Sequence, residues 1–319
     1  MSTINCIDSE SGNDYVMING DSVEVVPQFP PNSIDMMVYS PPFSDIFVYS
    51  DSERDIGNNA TDDMFIEHYG LLVESLFKVL RPGRVCAVHC KDLPSFLWKH
   101  GEVGLRDFPG ALIKAHQKAG FIFHSRTTIE LDPVTEMQRT NAHGLLYKNF
   151  KANSEVCRQG LADYIVTFRK PGSKDDPAYR PVVHDESVDV WQRWANPAWL
   201  SSFTEQDEEF VKATAAVWHD IDQTNTLNVR EGRDQSDERH MCPLQLDTIE
   251  RLVRLWTNPG EVVMSPFGGV GSEGYGCMTF GRKYVGIELK KSYYKTAIRN
   301  LRAKDSANAG PTLFSWSSK

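Results

Sequence analysis

The stretch from Glu261 to Glu288 constrains the fold most. Glu261–Met264 reads as a short buried strand. The turn Ser265-Pro266-Phe267-Gly268-Gly269-Val270-Gly271-Ser272 follows, a helix is expected from about Ser272 to Phe280, and Tyr284–Ile287 reads as a second strand. Strand, glycine-rich turn, helix and strand in that order make a βαβ unit, which requires a parallel sheet. Glycines let the backbone turn tightly and approach a ligand where the helix begins. Glu288 closes the second strand, seventeen residues past Gly271. An acid there would accept hydrogen bonds from both hydroxyls of a ribose.

The turn narrows the ligand further. Gly269-Val270-Gly271-Ser272-Glu273-Gly274 has the spacing GxGxxG, a weak signal by itself, but no Gly-Lys-Ser/Thr is present to cradle a triphosphate. Glu273, in the first helical turn, would repel a pyrophosphate. A cofactor with ribose and adenine but no phosphates fits these residues better, and S-adenosylmethionine is such a molecule. A glycine turn alone is as often a plain connector. The strand before it, the helix after it and the acid at the next strand end favour the cofactor site.

The rest of the chain alternates in the same way. Strands are expected at Tyr15–Asn19, Asp35–Ser40, Val85–His89, Phe121–Leu131 and Asp163–Arg169, with Val85–His89 of the buried, parallel type. Asp62–Leu80 carries Phe65, Tyr69, Leu72, Val73, Leu76, Phe77 and Leu80 at helical spacing, with Asp62 or Asp63 as N-cap and Arg81-Pro82-Gly83 as the stop. Asp107–Gly120 and Cys242–Thr257 read as further helices, and Asp132–Lys151 as loop. From Pro171 to Asp237 periodicity is weak and Trp191, Trp194, Trp199 and Trp218 appear, which suggests an insert packed on the main body. His89 and His124 lie in apolar strands and read as satisfied core residues; the tryptophans read as packing residues. The expected class is α/β with a mostly parallel sheet.

Composition excludes several alternatives. The 319 residues include 40% hydrophobic and 24% charged residues, as in an ordinary globular protein. No basic stretch with an apolar core opens the chain, and no run of about 18 apolar residues occurs, so neither a signal peptide nor a membrane span is expected. Six scattered cysteines (Cys6, Cys86, Cys90, Cys157, Cys242, Cys277) form no CxxC pair, which implies reduced cytoplasmic thiols and no structural metal. The net charge of −9 is unevenly spread. Arg139 to Lys174 holds seven basic residues against two acids, whereas Glu205 to Glu238 holds ten acids against three basic residues. A solvated face would account for either run equally well.

Ser40-Pro41-Pro42-Phe43 ends the strand Asp35–Ser40. Two prolines fix the backbone and carry no N–H, so carbonyl oxygens are left to accept from a ligand. The serine hydroxyl adds a polar group and Phe43 an aromatic face. An exocyclic base amino group needs such an environment, because its lone pair is delocalised into the ring. Acceptors on its N–H bonds draw it toward tetrahedral geometry, and a stacked ring would hold a base flipped from the duplex. A rigid strand-ending turn is the bland reading of a bare Pro-Pro; the strand end and the glycine turn argue against it here.

With both motifs in view, the chain resembles the amino-methylating DNA methyltransferases, specific for N4 of cytosine or N6 of adenine. Their Ser/Asp/Asn-Pro-Pro-Phe/Tyr motif precedes the cofactor motif Phe-x-Gly-x-Gly, here Ser40–Phe43 and Phe267–Gly271. The resemblance covers nearly the whole chain. It implies a Rossmann-like S-adenosylmethionine-dependent methyltransferase fold with an inserted target-recognition region. The implied organisation is a catalytic half over residues 1–170, an insert over 171–237, a cofactor-binding half of the same domain over 238–303, and a tail over 304–319. Ser40, Pro41, Pro42 and Phe43 would be catalytic.

The resemblance also implies binding residues. Asn19-Gly20-Asp21-Ser22 would approach the cofactor adenine through Asp21, and His240-Met241-Cys242-Pro243-Leu244 would line the methionine end through His240. Ser40, Ser265, Pro266, Phe267, Gly268, Gly269, Gly271, Ser272 and Glu288 complete the expected cofactor contacts, with Ser265 standing where relatives usually carry Asp or Asn. Arg139, Lys148, Lys151 and Arg158 become candidates for contacts to double-stranded DNA. A serine at the head of the motif goes more often with N4-cytosine among relatives, with N6-adenine the alternative. Relatives are prokaryotic or phage-encoded and often homodimers. A methyltransferase for protein glutamine or RNA would place the glycine motif first and begin its loop with Asn. A catalytically silent DNA-binding or cofactor-sensing protein is the remaining reading of a different class.

Overall fold

A computed structural model of the chain describes residues 4–43, 62–129, 131, 136, 147–153, 155, 158, 160–183, 217–218, 221–222, 224–227 and 243–308. In chain order the elements are β1 (Asp8–Ser11), β2 (Tyr15–Asn19), α1 (Ser22–Val25), β3 (Ile34–Tyr39), α2 (Asp62–Val79), β4 (Leu80–Lys91), β5 (Leu93–Ser95), α3 (Leu97–His100), β6 (Gly104–Arg106) and α4 (Phe108–Lys118). They continue with β7 (Ile122–Ile129), α5 (Tyr147–Ala152), β8 (Asp163–Arg169), β9 (Val217–Trp218), α6 (Leu246–Trp256), β10 (Val262–Ser265), α7 (Ser272–Thr279), β11 (Lys283–Glu288) and α8 (Lys291–Asn308).

Nine of the described strands form one sheet in the order β1-β2-β11-β10-β3-β4-β8-β7-β9. From β2 through β11, β10 and β3 to β4 every pairing is parallel, whereas β8 runs antiparallel to both β4 and β7. The strand order changes direction between β10 and β3, which are hydrogen-bonded neighbours. Ligands in open α/β sheets bind at such a switch point, beyond the carboxyl ends of the strands. The glycine turn leaves β10 and Ser40–Phe43 leaves β3, so both expected motifs emerge at this one edge.

The central strands are apolar because they are covered on both faces. Alternate residues of β3 point to opposite sides: Met37 and Tyr39 enter a core with Phe65, Tyr69, Leu72 and Leu112, while Met36 and Val38 enter one with Ile249, Leu252, Cys277 and Ala297. Helices α2 and α4 therefore pack on one face and α6, α7 and α8 on the other. Charges fasten the amino ends of the central strands. The buried Arg84 donates to the Asp35 carbonyl at 2.8 Å and pairs with Glu261, and Asp35 accepts from the Val262 N–H at 2.9 Å.

Several elements differ from the sequence reading. Arg81-Pro82-Gly83 does not merely stop α2: β4 begins at Leu80, directly after the helix, and its register with β3 shifts between Ile34 and Met36. β4 is parallel to one neighbour only, so a continuous apolar run reported burial and not strand direction. Helix α6 starts at Leu246, after an extended Gln245 at its N-cap, and α8 runs to Asn308. Tyr147–Ala152 is helical within the expected loop. β1 and the hairpin β5–β6 lacked the apolar alternation that would have announced them. His124 is exposed on β7, edge-on to Trp256 at 5.4 Å, and is not a core residue. The side chains of Trp191, Trp194, Trp199 and Trp218 lie outside the described residues. Within residues 171–237, expected from the sequence as an insert, Val217–Trp218 adds a parallel strand beside Thr128 and Ile129 of β7.

Candidate active site

The turn after β10 is shaped by glycine. Gly271 has φ 89° and Gly269 φ 48°, a left-handed backbone that side-chain-bearing residues rarely adopt. A Cβ on Gly271 would press on the Ala297 backbone at 3.3 Å, whereas one on Gly269 would meet nothing within 4 Å. One glycine is thus needed for close helix packing, and the other faces open space where a ligand can approach. Gly268 N–H donates to the Ile287 carbonyl at 2.7 Å, which ties the turn to β11.

Glu288 ends β11 and grips the same turn. Its carboxylate accepts from Gly269 N–H and from Lys290 N–H, each at 2.8 Å. Asn19 donates from its side chain to the carbonyls of Glu288 and Leu289 at 2.8 and 2.9 Å. Asp21 caps α1 by accepting from Val23 N–H at 2.9 Å, and Ser22 donates to the Pro266 carbonyl. Ser265 is fully buried beside Tyr284, and the buried Ser272 hydroxyl has no hydrogen-bond partner among the described residues. A partnerless buried hydroxyl, an open Gly269 and an acid one strand away suit a polar adenosyl ligand. Glu273 corrects an expectation: burial, with Glu288 adding to it, pushes its carboxyl up to about 8. It is mostly protonated at neutral pH, so the expected repulsion of a pyrophosphate carries little charge.

The motif after β3 stands beside this turn, with the Tyr39 and Phe267 rings 5.8 Å apart. Ser40 Oγ lies 2.8 Å from His89 Nδ1, and His89 Nε2 lies 2.9 Å from Asp163 Oδ2. Asp163 Oδ1 is 2.8 Å from Lys91 Nζ, which also reaches Glu136 Oε1 at 2.7 Å. Strand geometry assembles this row. His89 and Lys91 are two apart on β4 and so share a face, and Asp163 is the register partner of Lys91 across the antiparallel β8. Because β8 runs backwards, its first residue meets the last residues of β4 at the edge where Ser40 sits.

The electrostatics follow from burial against pairing. His89 is 6% exposed and Asp163 4%. Burial alone would raise the Asp163 carboxyl, but Lys91 and His89 outweigh it and hold it far below the ordinary carboxylate range. Burial likewise works against the charge on Lys91, and Asp163 and Glu136 reverse that, raising the ammonium above its usual value. Phe43 closes the group from one side, its ring 6.0 Å from His89 and 6.3 Å from Phe108. At 9% exposure it is nearly buried, more so than a free stacking face would be. Pro41 is buried and Pro42 half-buried.

The structure thus brings together Ser40–Phe43, Pro266–Ser272, Asp21 and Glu288. His240 and Arg139 lie outside the described residues. Lys148 and Lys151 are exposed on α5, and Arg158 is half-buried near Asp92. His89, Lys91, Glu136 and Asp163 were not picked out as site residues from the sequence. The only local trace was that polar and charged residues end a strand whose preceding positions, Val85–Val88, are all apolar, which does not say what they face. Among the described residues no helix is long and apolar enough to cross a membrane, and no cluster of His, Cys, Asp or Glu could hold a metal.

Comparison with known proteins agrees with this geometry. Residues 34–299 match the N6/N4 DNA methylase family. The type II methyltransferase M.BglII of Bacillus subtilis is 24% identical over 299 residues, covering 92% of this chain and 71% of that protein. The DNA adenine methyltransferase YhdJ of Escherichia coli K12 is 36% identical over 64 residues, 20% of this chain and 22% of that one. Among solved structures, TTHA0409 of Thermus thermophilus in complex with S-adenosyl-L-methionine superposes with a TM-score of 0.58 at 20% identity, covering 90% of this chain and 94% of that one. The cytosine-N4-specific PvuII DNA methyltransferase superposes at 0.58 with 15% identity, covering 95% of each chain. The fold is that of the Rossmann-like methyltransferases, and the methyl donor of the family is S-adenosylmethionine. From its two motifs at one sheet edge and this match over most of its length, the chain belongs to the N6/N4 DNA methylase family and is a DNA methyltransferase.

Proposed function

We propose that the protein methylates the exocyclic amino group of a base flipped out of double-stranded DNA at a specific site, with N4 of cytosine as the target. The carrying observation is Ser40: its hydroxyl stands at the end of β3, half-exposed, beside the turn that leaves β10. An amino group placed there would donate to Ser40 Oγ and to a carbonyl of the Pro41-Pro42 segment, and its nitrogen would turn its lone pair toward the cofactor. When bound, S-adenosylmethionine supplies the electrophilic methyl group. Glu288 takes the ribose hydroxyls, Asp21 and the turn Pro266–Ser272 enclose the adenosyl part, and Phe43 supports the base. Positioning and electrostatics then supply most of the rate.

Serine at the head of the motif favours cytosine, as does the cytosine-N4 specificity of PvuII methyltransferase; the adenine specificity of YhdJ favours the alternative. Lys148 and Lys151 on α5 suit phosphate contacts, and the 171–237 insert would carry base recognition. Incubation with methyl-labelled cofactor and unmodified DNA, digestion to nucleosides and mass spectrometry test the reading. N4-methylcytosine is expected. N6-methyladenine as sole product overturns the base assignment, and label in RNA or protein alone overturns the substrate class.

A further inference from the structure

We infer that His89 and Asp163 are positioning residues for the methyl transfer, and that together they make Ser40 Oγ an obligate acceptor for the substrate amino group. The inference rests on the proposed amino-methylation and adds to it two residues outside the Pro-Pro motif.

A serine hydroxyl is ambiguous, since it can donate one hydrogen bond and accept two. Aimed at an amino group, a donating hydroxyl would present its proton to N–H bonds and repel them. The row Ser40–His89–Asp163 removes the ambiguity. Asp163 is ionised and can only accept, so His89 Nε2 carries the proton that lies between it and Oδ2, 2.9 Å away. In the neutral ring Nδ1 then holds a lone pair, and its partner at 2.8 Å is the Ser40 hydroxyl, which must donate to it. The Ser40 proton is engaged, and both oxygen lone pairs are left for the incoming base. Lys91, itself paired with Glu136, holds Asp163 in place and keeps it charged. Phe43, itself nearly buried, packs against the imidazole.

The same row gives the departing proton a path. As the nitrogen–carbon bond forms and the sulfur–methyl bond breaks, the bond pair leaves with sulfur and the substrate nitrogen becomes positive. It loses a proton to Ser40 Oγ while the Ser40 proton passes to His89 Nδ1. The imidazolium so formed faces the Asp163 carboxylate and returns its proton through Ser40 to water once product leaves. Proton transfer through a positioned imidazole contributes roughly 100-fold or more to rate.

The test is the single-turnover rate at saturating unmethylated, polymerase-amplified DNA and labelled S-adenosylmethionine, with cofactor affinity measured alongside. His89→Ala is expected to lose at least about 100-fold in rate with cofactor affinity within about three-fold, and added imidazole is expected to restore at least about ten-fold. Asp163→Asn keeps the shape but frees the ring to take the other tautomer, and should lose more than about ten-fold. It serves as the primary variant should His89→Ala fail to fold. A loss below ten-fold, a loss matched by lost cofactor affinity, or no rescue by imidazole overturns the inference. A wild-type protein that labels no DNA overturns the proposed function instead, so the two failures are distinct.

Discussion

His116 and His89 are both buried in this fold, and they could hardly be used more differently. His116 lies in α4, stacked face to face on Phe168 at 3.8 Å, with Nδ1 bonded to the Leu112 carbonyl of its own helix and Nε2 3.3 Å from the Tyr39 hydroxyl. Burial drives its pKa down to about 3, so it is a neutral aromatic plate in the core. His89 is buried almost as deeply, but one nitrogen meets an ionised carboxylate and the other meets the motif serine. Burial alone makes a histidine inert. A counter-charge on one side and a half-exposed serine on the other make it a device, and both come from its place at the carboxyl end of β4.

The largest effect expected to break that contrast is on stability. His116→Ala removes a fully buried ring and should lower the unfolding free energy by about 3–4 kcal/mol in urea titration. The folded fraction should keep its methylation rate. Activity reverses the ranking: His116→Phe should stay within about three-fold of wild type, whereas His89→Ala loses about 100-fold, near 2.7 kcal/mol of activation free energy. Equal activity losses in the two variants would erase the distinction.

Glu273 sharpens it from the acidic side, as a buried group whose carboxyl is raised and not lowered by its surroundings. Its folded pKa of about 8 lies above the ordinary 4.5. Stability from this group is therefore full below pH 4.5 and lost as pH rises toward 8, because the unfolded chain ionises first. Glu273→Gln should raise the unfolding free energy by about 3.5 kcal/mol at pH 8 relative to pH 5 in the cofactor-free protein. A pH-independent difference would sink the account.

Phe43→Leu keeps apolar volume but removes the ring. If Phe43 supports a flipped base, single-turnover methylation should fall by about ten-fold, in line with the ~1–3 kcal/mol of base stacking. Full activity would leave Phe43 as packing for His89 only. The smallest effect concerns α5. Lys148→Ala with Lys151→Ala should weaken DNA binding a few-fold and reduce its salt dependence, with the rate at saturating DNA unchanged. An unaltered salt slope would remove α5 from the DNA surface.

Local pattern announced the motifs well because their cause is local. The turn at Ser265–Ser272 needs left-handed glycines wherever it occurs, and β3 reads as buried because all its residues but Asp35 are apolar. The row behind Ser40 was illegible for the opposite reason. His89 and Asp163 are 74 residues apart and meet only because β8 returns antiparallel beside β4. In sequence both are merely polar residues at strand ends, and His89 looked no different from His124, which proves to be exposed on β7. Strand direction is a tertiary choice that periodicity does not encode.

From its sequence alone this protein reads as an α/β chain with a glycine turn suited to a ribose-bearing ligand and a Ser-Pro-Pro-Phe motif expected to face an amino group, since glycine, proline and hydrophobic period act within a few residues. Only the tertiary structure decided that the turn and the motif stand side by side at the β10–β3 switch point. It also decided which of several buried polar residues stand behind Ser40. Those are matters of strand order and direction, set by how distant segments pack, and a hydrogen bond across that distance leaves no mark on either segment alone.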